Sequence, residues 1–298
     1  MQPSSRPEPT PPAEIAAWLS SKIGPVAAWR NRSWPLGVCA VWEASFAAGD
    51  TCFLKVHAQP RKFLQERTAY RDWIPRLPPK APTLLGASDE LLALALRSCT
   101  GCCLESAQLS VADELRAYRE AGEFLRALHE LPLVDRDPVP VAAALHDRLA
   151  SWCHRGRDWI SQDLRAWAFA VLEPNRWFAG LRRVACHRDY QPRNWLVETR
   201  TEPLTWTVID FEHSGADLWL VDFLKLWDRP WVERADRERA FFLGYGADLT
   251  DLDRERLTRL GVLHAIATTT WAREHGDRAY EAHGRHTLAR LQHELQAG

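Results

Sequence analysis

Residues 186–197 read CHRDYQPRNWLV. His187 is followed two residues on by Asp189, and Asp189 five residues on by Asn194. An apolar run that reads as a strand begins at once. An Asp in such a loop can accept a hydroxyl proton or orient the hydroxyl for in-line attack. An Asn at the head of the next strand can turn its amide oxygen toward a divalent cation. A polar turn can spell the same pattern by chance, with odds of very roughly one in a hundred for a chain of this size at average residue frequencies. The residues around it decide between the two.

Downstream, TWTVIDFE (205–212) reads as the partner strand of NWLVE, with TRTEP as the turn between them. Asp210 stands at its end, after an apolar run, where a carboxylate suits a metal ligand facing a phosphate. An Asp that merely caps the next turn is the plainer use. Asn194 on the neighbouring strand favours the first reading, since both oxygens could face one Mg²⁺.

Upstream, CAVWEASF (39–46) and TCFLKVHA (51–58) read as a hairpin closed by AAGD. Strand alternation sends Phe53, Lys55 and His57 to one face. A helix is expected over 61–77, with Phe63, Tyr70, Trp73 and Leu77 on one side. Glu66 falls inside that apolar stripe. A carboxylate there is costly unless it is paired, and Lys55 lies on the strand this helix should pack against. Alone, such a lysine would snorkel to solvent, and the glutamate could reach water from the edge of the stripe, but the motif context favours a Lys55–Glu66 pair.

Composition bounds the class. The chain has 298 residues, 46% hydrophobic and 26% charged, with a formal net charge of −1. That is a globular composition of one or two lobes, without the field that gathers nucleic acid or an anionic membrane. No apolar run is long enough to span a bilayer. The opening MQPSSRPEPTPPAE lacks the pattern of a signal peptide and reads as a disordered tail. The seven cysteines have no disulfide-framework spacing. Cys99, Cys102 and Cys103 form a CxxCC group with no second ligand pair, so a metal site there is not expected. Reduced thiols and a cytoplasmic location are expected. Strand signals dominate the first hundred residues and helix signals the rest. The domain reading is a tail over 1–13, a small β-rich lobe over 14–97, and a larger, mainly helical lobe over 98–298 carrying the loop hairpin. Two unequal lobes imply a cleft, the usual place for a ligand.

These motifs carry a resemblance. HRDYQPRN resembles the protein-kinase catalytic loop, VIDFE the position of the kinase D-F-G, FLKV the strand lysine motif, and Glu66 the helix glutamate. The details resemble the aminoglycoside phosphotransferase family more closely. EAGEFLRALHELP (120–132) looks like its helix ending in L-H-x-L-P, VIDFEHSGADLWLVDFLKL like its metal strand and following helix, and FFLGYG (241–246) like its Phe-x-x-Gly-Tyr. The likeness spans roughly residues 30 to 275. It implies an α+β, bilobal protein-kinase-like fold and an ATP- and Mg²⁺-dependent kinase. It implies Lys55 on the α/β-phosphates, oriented by Glu66, Asp189 as the catalytic carboxylate, and Asn194 and Asp210 on Mg²⁺. His187 would be a structural spine residue, and Asp222 would brace the loop backbone. The backbone of Leu96–Ser98 would meet adenine.

Three departures matter. No G-x-G-x-x-G precedes Lys55, so NRSWPLG with Ser33 stands as the phosphate-loop candidate. Glu212 replaces the D-F-G glycine. Only eleven residues separate Asp210 from Asp222, and no A-P-E follows, leaving no room for an activation loop or a peptide platform. The acceptor is therefore expected to be a small hydroxylated molecule, with no protein partner. An aminoglycoside is a polycation, yet residues 221–298 hold 13 acidic and 12 basic side chains. Trp227, Trp231 and Trp271 could stack on a sugar or nucleobase, although tryptophan is also a common core residue. An antibiotic of aminoglycoside, nucleoside or macrolide type is expected. A metabolite kinase for a sugar, choline or homoserine and a non-catalytic nucleotide-binding module remain the alternatives.

Overall fold

A computed structural model describes residues 10–34, 39–135, 137–199 and 204–296. Most of the expected tail lies outside them, and Ala13 already opens a helix. The chain runs α1 (Ala13–Lys22), β1 (Val26–Asn31), β2 (Cys39–Phe46), β3 (Thr51–His57), α2 (Pro60–Thr68), β4 (Leu84–Ser88), β5 (Ala93–Arg97), β6 (Cys102–Cys103) and α3 (Val111–His129). Then come α4 (Val141–Arg155), α5 (Gln162–Leu172), α6 (Pro174–Trp177), β7 (Val184–Cys186), β8 (Trp195–Glu198), β9 (Thr205–Val208) and β10 (Gly215–Asp217). Five helices close the chain: α7 (Leu224–Asp228), α8 (Pro230–Glu233), α9 (Ala235–Tyr245), α10 (Asp251–His275) and α11 (Arg278–Gln296). The chain is thus α+β, with an antiparallel sheet first and helices after, as expected.

It divides into two compact units, residues 1–128 with 191–215, and residues 129–190 with 216–298. The division differs from a boundary at 97/98. The hairpin β8–β9 pairs with β6, and Tyr118 of α3 meets Trp195 edge to face at 5.4 Å. Those contacts join α3, β6 and the hairpin to one another.

In the first unit the sheet order is β1-β2-β3-β5-β4. The expected β2–β3 hairpin forms, with Val41 opposite Lys55 and Cys39 opposite His57. Its two faces differ. Trp42, Ala44, Cys52 and Leu54 point to a core shared with Ile15 and Leu19 of α1, each large side chain contributing about 1.5–3 kcal/mol by burial. The opposite face carries Cys39, Val41, Lys55 and His57.

The expected helix over 61–77 is shorter. α2 ends at Thr68, a π turn covers Ala69–Trp73 and a 3-10 turn covers Ile74–Arg76. Pro75 is the cause, because it lacks an amide hydrogen and its ring crowds the preceding turn. Phe63, Glu66, Tyr70 and Trp73 are still buried. β9 also stops early, at Val208, and Asp210 turns out of the strand with φ 69°.

In the second unit an aromatic core forms around Phe223, which meets Trp219, Trp231, Phe241, Phe242 and Tyr245. α10 opens on a capping box of Thr250 and Asp253. Gly261 of α10 lets the Trp227 ring approach, since a Cβ there would stand 2.6 Å from it. Asp228 fastens α7 to α11. Its carboxylate lies 2.6 Å from His283 Nε2 and accepts from Thr287 Oγ1 at 2.8 Å. His264 of α10 is 3.6 Å away.

Candidate active site

The first unit holds a buried ammonium among carboxylates. Lys55 Nζ lies 2.9 Å from Glu66 Oε2, 2.6 Å from Asp210 Oδ1 and 3.3 Å from Glu212 Oε2. The Glu66 side chain is 1% exposed. Burial alone would pull the Lys55 ammonium down. Asp210 and Glu66 outweigh that and hold it charged, well above its usual range. Burial likewise opposes the Glu66 anion, and Lys55 reverses this, so its pKa lies below normal. Glu212 is also held low. Burial works against its charge, while His213, 3.2 Å away, and Lys55 favour it. Lys62 extends the chain of contacts, with Nζ 2.6 Å from His213 Nδ1.

Asn194 is buried in a short turn, Pro192–Asn194, just before β8. Its carbonyl accepts from the Ile209 amide at 2.9 Å, which ties the Asn194 backbone to the residue preceding Asp210. The set fits a divalent cation. One ammonium faces three carboxylates, a surplus of negative charge. Glu66, Asp210 and Glu212 offer oxygens within 4.8 Å of one another. Carboxylate and amide oxygens are the hard donors Mg²⁺ takes.

The other nucleotide-side candidates are placed as follows. Ser33 closes the end of the β1–β2 pair, where its hydroxyl accepts from the Val41 amide at 2.9 Å. The residues that complete NRSWPLG, 35–37, lie outside the described ones. Leu96 is buried in β5 opposite Phe53. Ser98 follows β5, its amide 3.5 Å from the Thr51 carbonyl.

The second unit holds Asp189, a buried carboxylate that accepts from Lys225 Nζ. The loop carrying it is clamped. Asp222, itself buried, accepts from the His187 amide at 2.9 Å and from the Arg188 amide. His129 Nε2 stands 3.1 Å from Asp222 Oδ2, and His129 Nδ1 stands 2.9 Å from the Tyr245 hydroxyl. A carboxylate only accepts, so Nε2 carries the hydrogen, and in a neutral ring Nδ1 accepts from Tyr245. His187 is fully buried, and its Nδ1 accepts from the Asp189 amide at 3.3 Å. Arg188 has φ 63° and pairs with Asp217 at 2.9 Å.

The three tryptophans differ. Trp231 is 4% exposed and belongs to the aromatic core. Trp227 is half-buried under the Arg290 guanidinium. Trp271 stacks on His275 at 4.1 Å.

Lys225, His129, Glu212 and His57 were given no place in the site by the sequence reading. Each had a signal. Lys225 is one of five lysines in the chain and lies three residues after Asp222, so it shares that residue's helical face. His129 is the histidine of LHELP. Glu212 stands where a glycine was expected. His57 follows Lys55 by two and so shares its strand face.

Comparisons place this geometry among known proteins. The model of the phosphotransferase enzyme family, APH, matches residues 43–258. No curated protein sequence matches the chain. A thermostable mutant of aminoglycoside phosphotransferase APH(4)-Ia, in ternary complex with ADP and hygromycin B, is similar in structure with a TM-score of 0.70 at 17% identity, over 94% of this chain and 98% of that one. The GDP and kanamycin complex of APH(2")-IIia gives 0.68 at 13% identity, over 94% and 99%. Macrolide 2'-phosphotransferase MphH from Brachybacterium faecium, as apoenzyme, gives 0.64 at 18%, over 92% and 97%. At such identities these likenesses speak for the fold, which is the kinase-like fold the motifs implied. The family match covers most of the chain, including Lys55, Asp189, Asn194 and Asp210, and the chain belongs to the APH phosphotransferase enzyme family.

Proposed function

We propose that the protein transfers the γ-phosphoryl group of ATP to a hydroxyl of a small molecule, and that the acceptor is an antibiotic of aminoglycoside, nucleoside or macrolide type. The observation that carries this reading is Asp189, a buried carboxylate on a loop whose backbone is clamped by Asp222. In the reaction, Asp189 orients the acceptor hydroxyl and takes its proton. The hydroxyl oxygen bonds to the γ-phosphorus, and the bond from phosphorus to the ADP oxygen breaks. Lys55, kept charged, holds the α- and β-phosphates, and Glu66 keeps it in place. Asp210 and Asn194 would hold Mg²⁺, which would offset charge on the phosphates. Positioning and charge carry most of the work in such a transfer.

Residues 14–97 are the nucleotide-binding lobe in this reading, with Ser33 near the phosphates and Leu96 and Ser98 near the base. Residues 98–298 supply the catalytic loop and the acceptor site, with Trp227 and Trp271 as candidate stacking surfaces. Trp231 is the weaker candidate because its ring is committed to the core. The enzyme would act in the cytoplasm. The free state of all seven cysteines supports this. No helix among the described residues is long and apolar enough to cross a membrane.

A second reading has support from charge. Residues 221–298 lack an acidic surplus for a polycation. A weakly charged metabolite alcohol, of sugar, choline or homoserine type, fits that balance as well as an antibiotic. The test is ADP release with Mg²⁺-ATP across hydroxylated antibiotics, sugars and amino alcohols, with Asp189→Ala beside it. Acceptor-dependent release, lost in the variant, is expected and names the acceptor class. Unchanged turnover in Asp189→Ala would reject the assignment. Nucleotide binding with no transfer to any acceptor would leave a binding module.

A further inference from the structure

The face of the sheet that carries Lys55 also carries donors that phosphoryl transfer does not use. Cys39 and His57 are direct partners in the β2–β3 ladder, so their side chains leave the sheet on one side. The Cys39 sulfur, a ring nitrogen of His57 and a carboxylate oxygen of Glu212 lie within 4.8 Å of one another. The His57 side chain is 1% exposed, and its Nε2 is 2.9 Å from Glu66 Oε2. Both atoms are buried, and Glu66 Oε2 also lies 2.9 Å from Lys55 Nζ. Sulfur, imidazole and carboxylate donors set this close together suit a bound metal ion. Glu66, Asp210 and Glu212 outnumber Lys55, so a cation is favoured.

We propose that Cys39, His57 and Glu212 form a zinc site, with Glu66 in reach as the fourth ligand, and that zinc bound there withdraws Lys55 from the nucleotide. Sulfur, imidazole and carboxylate together are a zinc donor set, whereas Mg²⁺ takes oxygens. Zinc bonds of about 2.0–2.3 Å in a tetrahedron put ligand atoms about 3.3–3.7 Å apart. Small side-chain rotations close the present spacing to that. The balance is simple. The Cys39 S–H bond, which now points at the Val56 carbonyl at 3.2 Å, breaks. Its proton leaves to solvent, and a sulfur–zinc bond replaces it. Burial holds this thiol well above its usual pKa, and Lys55 offsets that only in part. Cys39 is therefore a protonated thiol without metal, not a nucleophile. When Glu66 and Glu212 turn to zinc, Lys55 loses the carboxylate that keeps it in place for the phosphates and is left held by Asp210. That last consequence, inhibition, rests on the function proposed above, while zinc binding itself does not.

The test titrates Zn²⁺, and Co²⁺ as its coloured substitute, into the full chain without nucleotide. One ion per chain is expected, with a thiolate-to-cobalt charge-transfer band. Cys39→Ser should weaken zinc by at least about a hundredfold, since losing an outer-shell partner already costs up to that much, and should remove the band. A Cys99→Ser, Cys102→Ser, Cys103→Ser triple variant should keep both. Cys39→Ala serves as a second variant, with circular dichroism checking that each one is folded. Zinc binding as tight as the parent's in folded Cys39→Ser and Cys39→Ala would overturn the site. So would a band that disappears only in the triple variant. With an acceptor in hand, zinc should raise the KM for Mg²⁺-ATP in the parent and not in Cys39→Ser. Equal inhibition of both would overturn the inhibitory role. An enzyme silent toward every acceptor would count against the proposed function and leave the binding result standing.

Discussion

The carboxylate of Asp222 holds Arg188 in a left-handed backbone conformation. It accepts from the amides of Arg188 and His187, while the Arg188 φ stands at 63°. A bulky residue adopts that region only when its surroundings fix it there. Removing the carboxylate leaves two amides and the His129 Nε2–H without their acceptor. Asp222→Ala should cost about 3–5 kcal/mol, since each buried donor left without an acceptor costs about 1–3 kcal/mol. Urea unfolding followed by circular dichroism measures it. A loss under about 1 kcal/mol would show that the loop keeps its shape without the clamp.

Lys225 bears on turnover more than on nucleotide affinity. Its ammonium sits on the Asp189 carboxylate, the proposed catalytic group. Lys225→Met should lower kcat by about a hundredfold, the loss typical when one preorganised charge or donor is removed from a site, and leave the KM for ATP within error. Lys225→Arg should recover part of the rate. Steady-state kinetics with ATP and acceptor varied separately distinguish the outcomes. A variant that raises only the KM for ATP would move Lys225 to the nucleotide side.

Asn194→Ala and Asp210→Ala should each weaken Mg²⁺-nucleotide binding by about tenfold or more. Nucleotide binding without Mg²⁺ should change little in Asn194→Ala. Calorimetric titrations with and without Mg²⁺ give both numbers. Equal losses in the two conditions would mean that the side chain holds the loop rather than the ion.

The tie between Asp228 and His283 should make stability depend on pH. The hydrogen bond to Asp228 raises the His283 pKa, with burial, Arg229 and Arg290 working against it. A raised pKa means stabilisation that is complete below the unfolded histidine value of about 6.5 and lost as pH climbs through the higher folded value. The stability gap between the parent and His283→Gln should therefore be wider near about pH 6 than near about pH 9. Thermal unfolding of both proteins at the two pH values reads it. A gap that widens toward alkaline pH would contradict the assignment.

Local pattern made some of this legible and left the rest hidden. The β2–β3 hairpin could be read because two apolar strands flank a turn. The Lys55–Glu66 pair followed from a charge inside an apolar stripe, since burial forces such a charge to find a partner. Helix α1 was hidden by the Pro-rich stretch before it, although Ile15 and Leu19 join the core on one face of the sheet. The π turn at Ala69–Trp73 was hidden because its side chains still fall near the helical stripe. Lys225 was missed for a different reason. Its partner lies 36 residues away, and no periodicity links a helix to a loop at that distance. Glu212 was noticed only as a misfit for a glycine. Its place beside Lys55 required the turn at Asp210, which strand alternation does not foretell.

That turn has a bearing on efforts to harden the protein against heat. Asp210 and Arg188 both sit with φ above 60°, where glycine would rest without strain. Each conformation costs about 1–3 kcal/mol, a sizeable part of a fold's whole margin. A library screened for survival at high temperature would therefore be drawn toward glycine at both positions. At Arg188 the exchange would give up the pairing with Asp217. At Asp210 it would discard the carboxylate proposed to hold the metal, and under that proposal the hardiest clones would be the least useful ones.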